Sequence, residues 1–173
     1  GLVLAAATAL GLAGPANAQT GQPIKVGGTL ALTGPLASTG LVHKIVGEIY
    51  VEQLNKRGGL LGRPVEWVLL DDQSKPDLAR TLYEKLVTVD KVDLLIGPYA
   101  TGAILSAMAV AERHEKLLIH HTFGIPKLAK YDAQFPSWHF GPNVDQTVPA
   151  LLLDALSAAG KAPKTVAIVT SKF

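Results

Sequence analysis

The sequence contains no cysteine among its 173 residues. This absence excludes disulfide bonds, a thiol nucleophile and any metal site built from thiolates. It does not identify a compartment, because oxidising compartments allow disulfides without requiring them. The net charge is only +2 at pH 7, so the chain lacks the strongly basic surface with which proteins bind nucleic acid or anionic lipid. What the chain does have is 48% apolar residues, enough for the core of one domain and too many for a disordered segment.

Charged side chains are also absent from residues 1–18. An apolar run at 2–12 is followed by the helix breaker Pro15 and by the small-residue sequence ANA at 16–18, a pattern typical of a secretory signal peptide. The alternative is a membrane span, which needs about 20 predominantly apolar residues, and Pro15 interrupts the run too early. We therefore expect a signal peptide that is cleaved after Ala18 and a soluble, exported mature protein.

Strand-like and helix-like patterns alternate through the rest of the chain, and no internal repeat or low-complexity tract interrupts them. This alternation predicts βαβ units and a mostly parallel sheet, which is the α/β class. A parallel strand needs neighbours that crossover connections bring beside it, so the strand expected at 164–170 indicates that the chain is part of a longer protein. The predicted strands are 24–32, 65–70, 92–96, 117–120, 138–140 and 164–170, and the predicted helices are 36–56, 74–86, 103–114 and 145–159.

Two acidic residues, Asp71 and Asp72, close the second predicted strand. No glycine fingerprint precedes them, so a ribose-binding role has little support, and we interpret the pair as a solvated strand end or turn cap. Ser74 follows at the start of a predicted helix, with Asp77 three residues further on. This spacing predicts that Ser74 caps the helix as part of a capping box.

Three familiar catalytic or cofactor motifs are not present. The glycine loop at 34–40 has neither the G-x-G-x-x-G of dinucleotide-binding proteins nor the G-x-x-x-x-G-K-[ST] of a P-loop, and no G-x-S-x-G nucleophile elbow occurs. His120 and His121 are neighbours on a predicted strand, so their side chains point to opposite faces and do not converge on one ion. His114 is expected to face solvent. We therefore expect no enzyme activity, no cofactor and no metal site.

Ligands of parallel α/β sheets bind outside the carboxyl ends of the strands. Three loops lie at such positions, at 33–40, 99–102 and 121–124. In the second loop, Thr101 and Gly102 open a predicted helix, where a hydroxyl and free N–H groups suit a carboxylate or another anion. The alternative is that Thr101 is an ordinary N-cap that satisfies a helix N–H without any ligand. The sequence leaves both interpretations open.

Five segments of the chain, taken in order, resemble the periplasmic solute-binding proteins of the branched-chain amino acid type, which deliver ligands to ABC importers. The family implies two Rossmann-like α/β lobes joined by a hinge, with a small carboxylate-bearing solute, an amino acid or an organic acid, held between them. The resemblance implies a periplasmic, monomeric, non-catalytic receptor whose partner is an ABC permease. It divides the chain into lobe one at 19–141 and the hinge with the start of lobe two at 142–173. The segments are IKVG at 24–27, TGPLASTG at 33–40, LNKRGGLLG at 54–62, DDQSKP at 71–76 and LIGPYAT at 95–101.

The resemblance also implies which residues contact the solute. Thr101 matches a hydroxyl residue that binds the ligand carboxylate, and Tyr99, Ala100 and Gly102 lie on the same loop. Thr122 matches a position whose backbone carbonyl accepts a bond from the ligand ammonium.

Three further positions of the implied site differ from the family pattern. Gly124 stands where amino-acid receptors usually have a hydroxyl residue, Phe123 is bulky where a small residue is common, and Thr39 stands where an aromatic residue can line the pocket. The ligand candidates are therefore a branched-chain or other apolar amino acid and, as the alternative, an aromatic or other organic acid. A ligand-sensing receptor for a signalling partner is the alternative to a transport role.

Overall fold

A single parallel sheet with the strand order β2-β1-β3-β4-β5 organises the fold. A computed structural model describes residues 21–137 and 143–168. Every pair of neighbouring strands is parallel, which confirms the α/β class expected from the alternating pattern. The elements are β1 (Ile24–Leu30), α1 (Ala37–Lys56), β2 (Val65–Asp71), α2 (Pro76–Thr88), β3 (Leu94–Ile96), α3 (Thr101–Arg113), β4 (Leu118–His120), a 3-10 turn (Pro126–Leu128), β5 (Gln134–Pro136) and α4 (Val144–Ala158).

The hydrophobic core lies between one face of the sheet and the helices α2 and α3. Tyr83 and Leu86 of α2, Ile104 of α3 and Leu95 and Leu118 of the sheet are almost completely buried there. Burying side chains of this size is worth roughly 1.5–3 kcal/mol each. This side of the sheet therefore holds α3, and with it the loop that precedes α3, in a fixed position.

Helix α1 packs on the opposite face, over β1 and β2, and two glycines allow the close approach. A Cβ at Gly40 would lie 2.0 Å from the carbonyl oxygen of Ala31, and one at Gly47 would lie 2.3 Å from the ring of Trp67. The part of this face formed by β3, β4 and β5 is less covered. Ile96, Ile119 and Phe135 are paired in register there, and each is exposed.

Of the last two predicted strands, the first is not tested by the structure and the second is not formed where it is described. The stretch at 138–140 lies outside the described residues, and the fifth strand is β5 (Gln134–Pro136). This strand is a three-residue edge strand without a long apolar run, and it ends in proline, which sheet edges tolerate. Residues 164–168 form no strand, since a parallel strand requires a paired neighbour and no described strand lies beside them. The rest of that stretch, 169–170, lies outside the described residues.

Two smaller predictions are also wrong. Ser74 does not cap α2, because the N-cap is Lys75 and no side chain bonds to that helix end. His114 does not simply face solvent, because its Nε2 lies 2.9 Å from Oε2 of Glu84 on α2. Ser74 bonds to Thr33 in the loop after β1, and His114 bonds to Glu84 on α2. The helical spacing within one segment does not reveal a partner that belongs to another element. Within residues 21–137 and 143–168, no helix has the length and apolar character needed to cross a membrane.

Candidate functional site

A cavity of about 480 Å³ opens at the carboxyl ends of β1, β2 and β3. Four of the predicted site residues, Tyr99, Ala100, Thr101 and Gly102, line it. Its volume lies within the usual range for small-molecule pockets, about 300–1,000 Å³. The full lining consists of Leu36, Asp72, Ser74, Pro76, Tyr99, Ala100, Thr101, Gly102 and Ala103.

Asp71 attaches the loop between β1 and α1 to the end of β2. Its carboxylate accepts hydrogen bonds from the N–H groups of Leu32 (3.0 Å), Thr33 (3.2 Å) and Gln73 (2.8 Å) and from the hydroxyl of Thr33 (2.7 Å). Burial acts to raise the pKa of Asp71, but these hydrogen bonds outweigh it and the pKa lies below the ordinary value. The turn-cap interpretation of Asp71 is therefore confirmed.

Asp72 is buried rather than solvated, with 2% of its surface exposed. One carboxylate oxygen accepts the hydroxyl of Thr29 (2.7 Å), and the other accepts the N–H of Ser74 (3.0 Å). Burial raises the pKa of Asp72 above its ordinary value despite these bonds. Its role as a turn cap is confirmed, but the expected solvation is wrong, because the loops on either side close over the carboxylate.

Ser74 joins the same loops from the other direction. Its hydroxyl donates to the carbonyl of Thr33 (2.9 Å) and accepts from the N–H of Leu36 (3.1 Å). The serine that was expected to cap α2 therefore holds one wall of the cavity, since Leu36 and Ser74 both line it.

Thr101 is the first residue of α3, and Ala100 is the N-cap. No side chain caps this helix, so the N-cap interpretation of Thr101 is wrong. Its Oγ1 instead accepts a hydrogen bond from the N–H of Gly124 at 3.1 Å. Because Oγ1 acts as an acceptor in this bond, its own hydrogen remains available to donate. In the part of the chain that the structure describes, the N–H groups of Thr101, Gly102 and Ala103 have no bonding partner.

Thr122 connects the exit loops of β3 and β4. Its hydroxyl accepts from the N–H of Ala100 (3.4 Å) and donates to the carbonyl of His121 (2.7 Å). Two of these residues have unusual backbone angles, φ 75° and ψ 146° at Ala100 and φ 56° at Thr122. Such conformations cost about 1–3 kcal/mol in non-glycine residues and concentrate at binding and catalytic sites.

Ala100→Gly is expected to stabilise the protein by up to about 2.5 kcal/mol. Glycine removes the strain at φ 75°, worth about 1–3 kcal/mol, and loses roughly 0.5–1 kcal/mol through the greater freedom of the unfolded chain. The matched control is Ala109→Gly in the interior of α3, where only the entropic cost applies and stability should fall. Urea denaturation of both variants measures whether the free energy of unfolding rises in Ala100→Gly and falls in Ala109→Gly. A loss of stability in both would show that the backbone at Ala100 is not strained.

Three aromatic rings lie together beside the loop that carries Thr101. The ring centroids of His43 and His121 are 4.8 Å apart, those of His43 and Tyr99 are 5.5 Å apart, and those of Tyr99 and His121 are 6.4 Å apart. Burial, together with the charges of His43 and His120, lowers the pKa of His121 to about 4, so this imidazole is neutral at pH 7. Sequence reasoning missed His43, because it belongs to α1 and no local pattern links it to the other two rings.

The remaining predicted residues, Thr39, Thr122, Phe123 and Gly124, are not part of the cavity lining, although Thr122 and Gly124 hydrogen-bond to the loop that carries Thr101. Phe123 is 3% exposed and packs into the core, edge-on to the ring of His120 with the centroids 5.3 Å apart. Thr39 lies in the first turn of α1 and does not line the cavity. His120 is buried and His121 is half-buried, which agrees with their expected opposite directions. Among the described residues, no group of three histidine, aspartate or glutamate side chains could hold a metal ion.

The parallel sheet, the flanking helices and a cavity at the carboxyl ends of the strands define an α/β protein with a pocket where such sheets bind ligands. A family model described as periplasmic binding protein matches residues 23–172, and the chain therefore belongs to that family, as the sequence motifs suggested.

Three similar proteins illustrate the family. The Leu/Ile/Val-binding protein BraC3 of Rhizobium johnstonii is 31% identical over 107 residues, which cover 62% of this chain and 29% of that protein. The branched-chain amino acid transporter substrate-binding protein LivJ of Streptococcus pneumoniae, solved with isoleucine, has a TM-score of 0.65 and 29% identity over 68% of this chain and 34% of that chain. A solute-binding protein of an ABC transporter from R. palustris, solved with benzoate, has a TM-score of 0.67 and 26% identity. The match covers 80% of this chain and 38% of that chain. The chain thus spans well under half the length of each.

Proposed function

We propose that this chain is the ligand-binding first lobe of an extracytoplasmic receptor that delivers a small carboxylate-bearing solute to an ABC importer. The observation that carries the proposal is the start of α3. There the N–H groups of Thr101, Gly102 and Ala103, which have no partner among the described residues, face a cavity together with the hydroxyl of Thr101, whose hydrogen is free to donate. Free N–H groups at a helix N-terminus and the helix dipole favour a negative group.

The hydrogen bond from Gly124 to Thr101 supports this role. The bond from the N–H of Gly124 (3.1 Å) holds Oγ1 of Thr101 in one position. The side chain therefore does not have to change rotamer before its hydroxyl donates to the ligand. Ala100 and Thr122, held in strained conformations, place the two loops at the distance this bond requires. In the proposed complex the carbonyl of Thr122 is a second ligand contact.

The proposed organisation assigns residues 1–18 to a signal peptide cleaved after Ala18, residues 19–141 to lobe one, and residues 142–173 to the hinge and the start of a second lobe. All five strands lie between residues 24 and 136. Helix α4 buries none of its described side chains, as expected for an element that belongs to another lobe. The proposed receptor is a periplasmic monomer whose partner is an ABC permease, as the family resemblance implies.

The proposal is tested by the requirement for a carboxylate. The receptor is titrated by isothermal calorimetry with leucine, isoleucine and benzoate and with the matching primary amides, leucinamide, isoleucinamide and benzamide, in which an uncharged carboxamide replaces the carboxylate. Each amide keeps the shape of its parent and removes the negative charge, so at least one acid should bind about tenfold or more tightly than its amide, at about 1.4 kcal/mol per decade. Equal binding of acid and amide would contradict the proposed role of the α3 N-terminus.

Uptake of the bound acid by cells with and without the receptor separates transport from sensing. Cells that lack the receptor should lose high-affinity uptake. Unchanged uptake together with a lost behavioural response would favour the sensing alternative.

A further inference from the structure

The three rings of His43, Tyr99 and His121, here called the ring cluster, have no role in the carboxylate contacts described above. They come from α1, from the loop after β3 and from the end of β4, so no single element requires them to meet. Their centroid separations of 4.8, 5.5 and 6.4 Å lie in the range of favourable aromatic contacts, about 4.5–7 Å. All three residues are half-buried, so parts of their rings remain accessible.

The ring cluster is continuous with the candidate site. Tyr99 lines the 480 Å³ cavity and is two residues from Thr101 in the same loop. His121 is tied to that loop through Thr122, whose hydroxyl lies 3.1 Å from its Nδ1 and accepts the N–H of Ala100 at 3.4 Å. A ligand whose carboxylate contacts the start of α3 therefore has its remaining atoms within reach of Tyr99.

We propose that the ring cluster selects the solute, and that the preferred ligand is an aromatic carboxylate whose ring packs against Tyr99, with His43 and His121 supporting the Tyr99 ring from α1 and from the end of β4. This inference rests on the proposed function, since it assumes that the carboxylate binds at Thr101. A flat ring gains an aromatic contact that a saturated side chain of the same size does not.

The polar groups of the site agree with a ligand that lacks an ammonium group. Gly124 offers no hydroxyl, and the hydroxyl of Thr122 is already bonded on both sides. Asp72, a buried carboxylate in the cavity lining, already accepts one hydrogen bond at each oxygen, from Thr29 and from Ser74. On this exit loop an α-amino acid would therefore find the backbone carbonyl of Thr122, and no uncommitted hydroxyl, for its charged amine.

The test compares benzoate with cyclohexanecarboxylate, which has the same carboxylate on a saturated ring of the same size. Isothermal titration calorimetry on the full receptor is expected to show benzoate binding about tenfold more tightly, and also more tightly than leucine. In Tyr99→Leu the affinities for benzoate and cyclohexanecarboxylate should differ by about twofold or less. Tyr99→Phe should keep the tenfold difference. Tyr131→Leu is the matched control, because the hydroxyl of Tyr131 donates to the carbonyl of Lys116 (2.9 Å), at the opposite end of β4 from the ring cluster, and the variant should leave the preference unchanged.

The outcomes separate this inference from the proposed function. If benzoate and cyclohexanecarboxylate bind equally to the unaltered receptor, or if leucine binds more tightly than benzoate, the inference is overturned, while carboxylate binding at Thr101 still stands. A benzoate preference that survives in Tyr99→Leu also overturns it. If none of the three acids binds, the proposed function fails as well. The comparison in the unaltered protein does not depend on any variant folding.

Discussion

Thr101→Val is expected to weaken binding of the carboxylate ligand by about tenfold to a hundredfold. Valine keeps the shape of the side chain but removes the hydroxyl, whose hydrogen bond to a charged group is worth about 1.5–3 kcal/mol, at about 1.4 kcal/mol per decade of affinity. Calorimetric titration of the acid that binds the unaltered receptor gives the ratio directly. The free N–H groups at the start of α3 remain in the variant, so binding should weaken without disappearing.

The matched control is Thr81→Val on α2. Thr81 is exposed, and its hydroxyl donates to the carbonyl of Asp77 (3.2 Å) in the same helix, so the chemical change is the same and the cavity is untouched. Affinity should be unchanged in this control. Thr101→Val also removes the acceptor for the N–H of Gly124, so a melting temperature lowered by a few degrees is expected. A lowered melting temperature with unchanged affinity would mean that the hydroxyl of Thr101 is only structural.

Gly40→Ala is expected to destabilise the protein by about 2–3 kcal/mol or more, since overpacking a close contact usually costs about 1–3 kcal/mol. The added Cβ would lie 2.0 Å from the carbonyl oxygen and 2.7 Å from the carbonyl carbon of Ala31. Because both atoms are backbone, no side chain can rotate away, and the first turn of α1 has to move off β1. Urea denaturation, followed by circular dichroism, measures the loss.

Ser38→Ala, in the same turn of α1, is the control for Gly40→Ala. Ser38 is exposed, and alanine favours helix, so stability should change by less than about 0.5 kcal/mol. Comparable destabilisation of both variants would show that this turn tolerates no substitution and that the contact with Ala31 is not the cause. An unchanged stability in Gly40→Ala would show that α1 does not approach β1 as closely as the structure has it.

Local patterns predicted the main elements correctly, because the information lies within each segment. The buried-strand pattern at 24–32 that became β1 and the Leu78, Leu82 and Leu86 spacing of α2 need no distant partner to be recognised. The order of strands and helices then predicted a parallel sheet, and a parallel sheet predicted where its loops meet. Thr101 and its loop were found in this way, and the resemblance to periplasmic solute-binding proteins pointed to the same loop.

Contacts between distant segments could not be read in advance, because no periodic pattern encodes them. The burial of Asp72 depends on Thr29, 43 residues away, and Ser74 bonds to the loop of β1 rather than to its own helix. His43 meets Tyr99 and His121 only because the glycines of α1 let that helix lie close to the sheet. The order of the elements therefore follows from spacing along the chain, whereas the partners of each polar and aromatic side chain depend on how the helices and loops pack together in three dimensions.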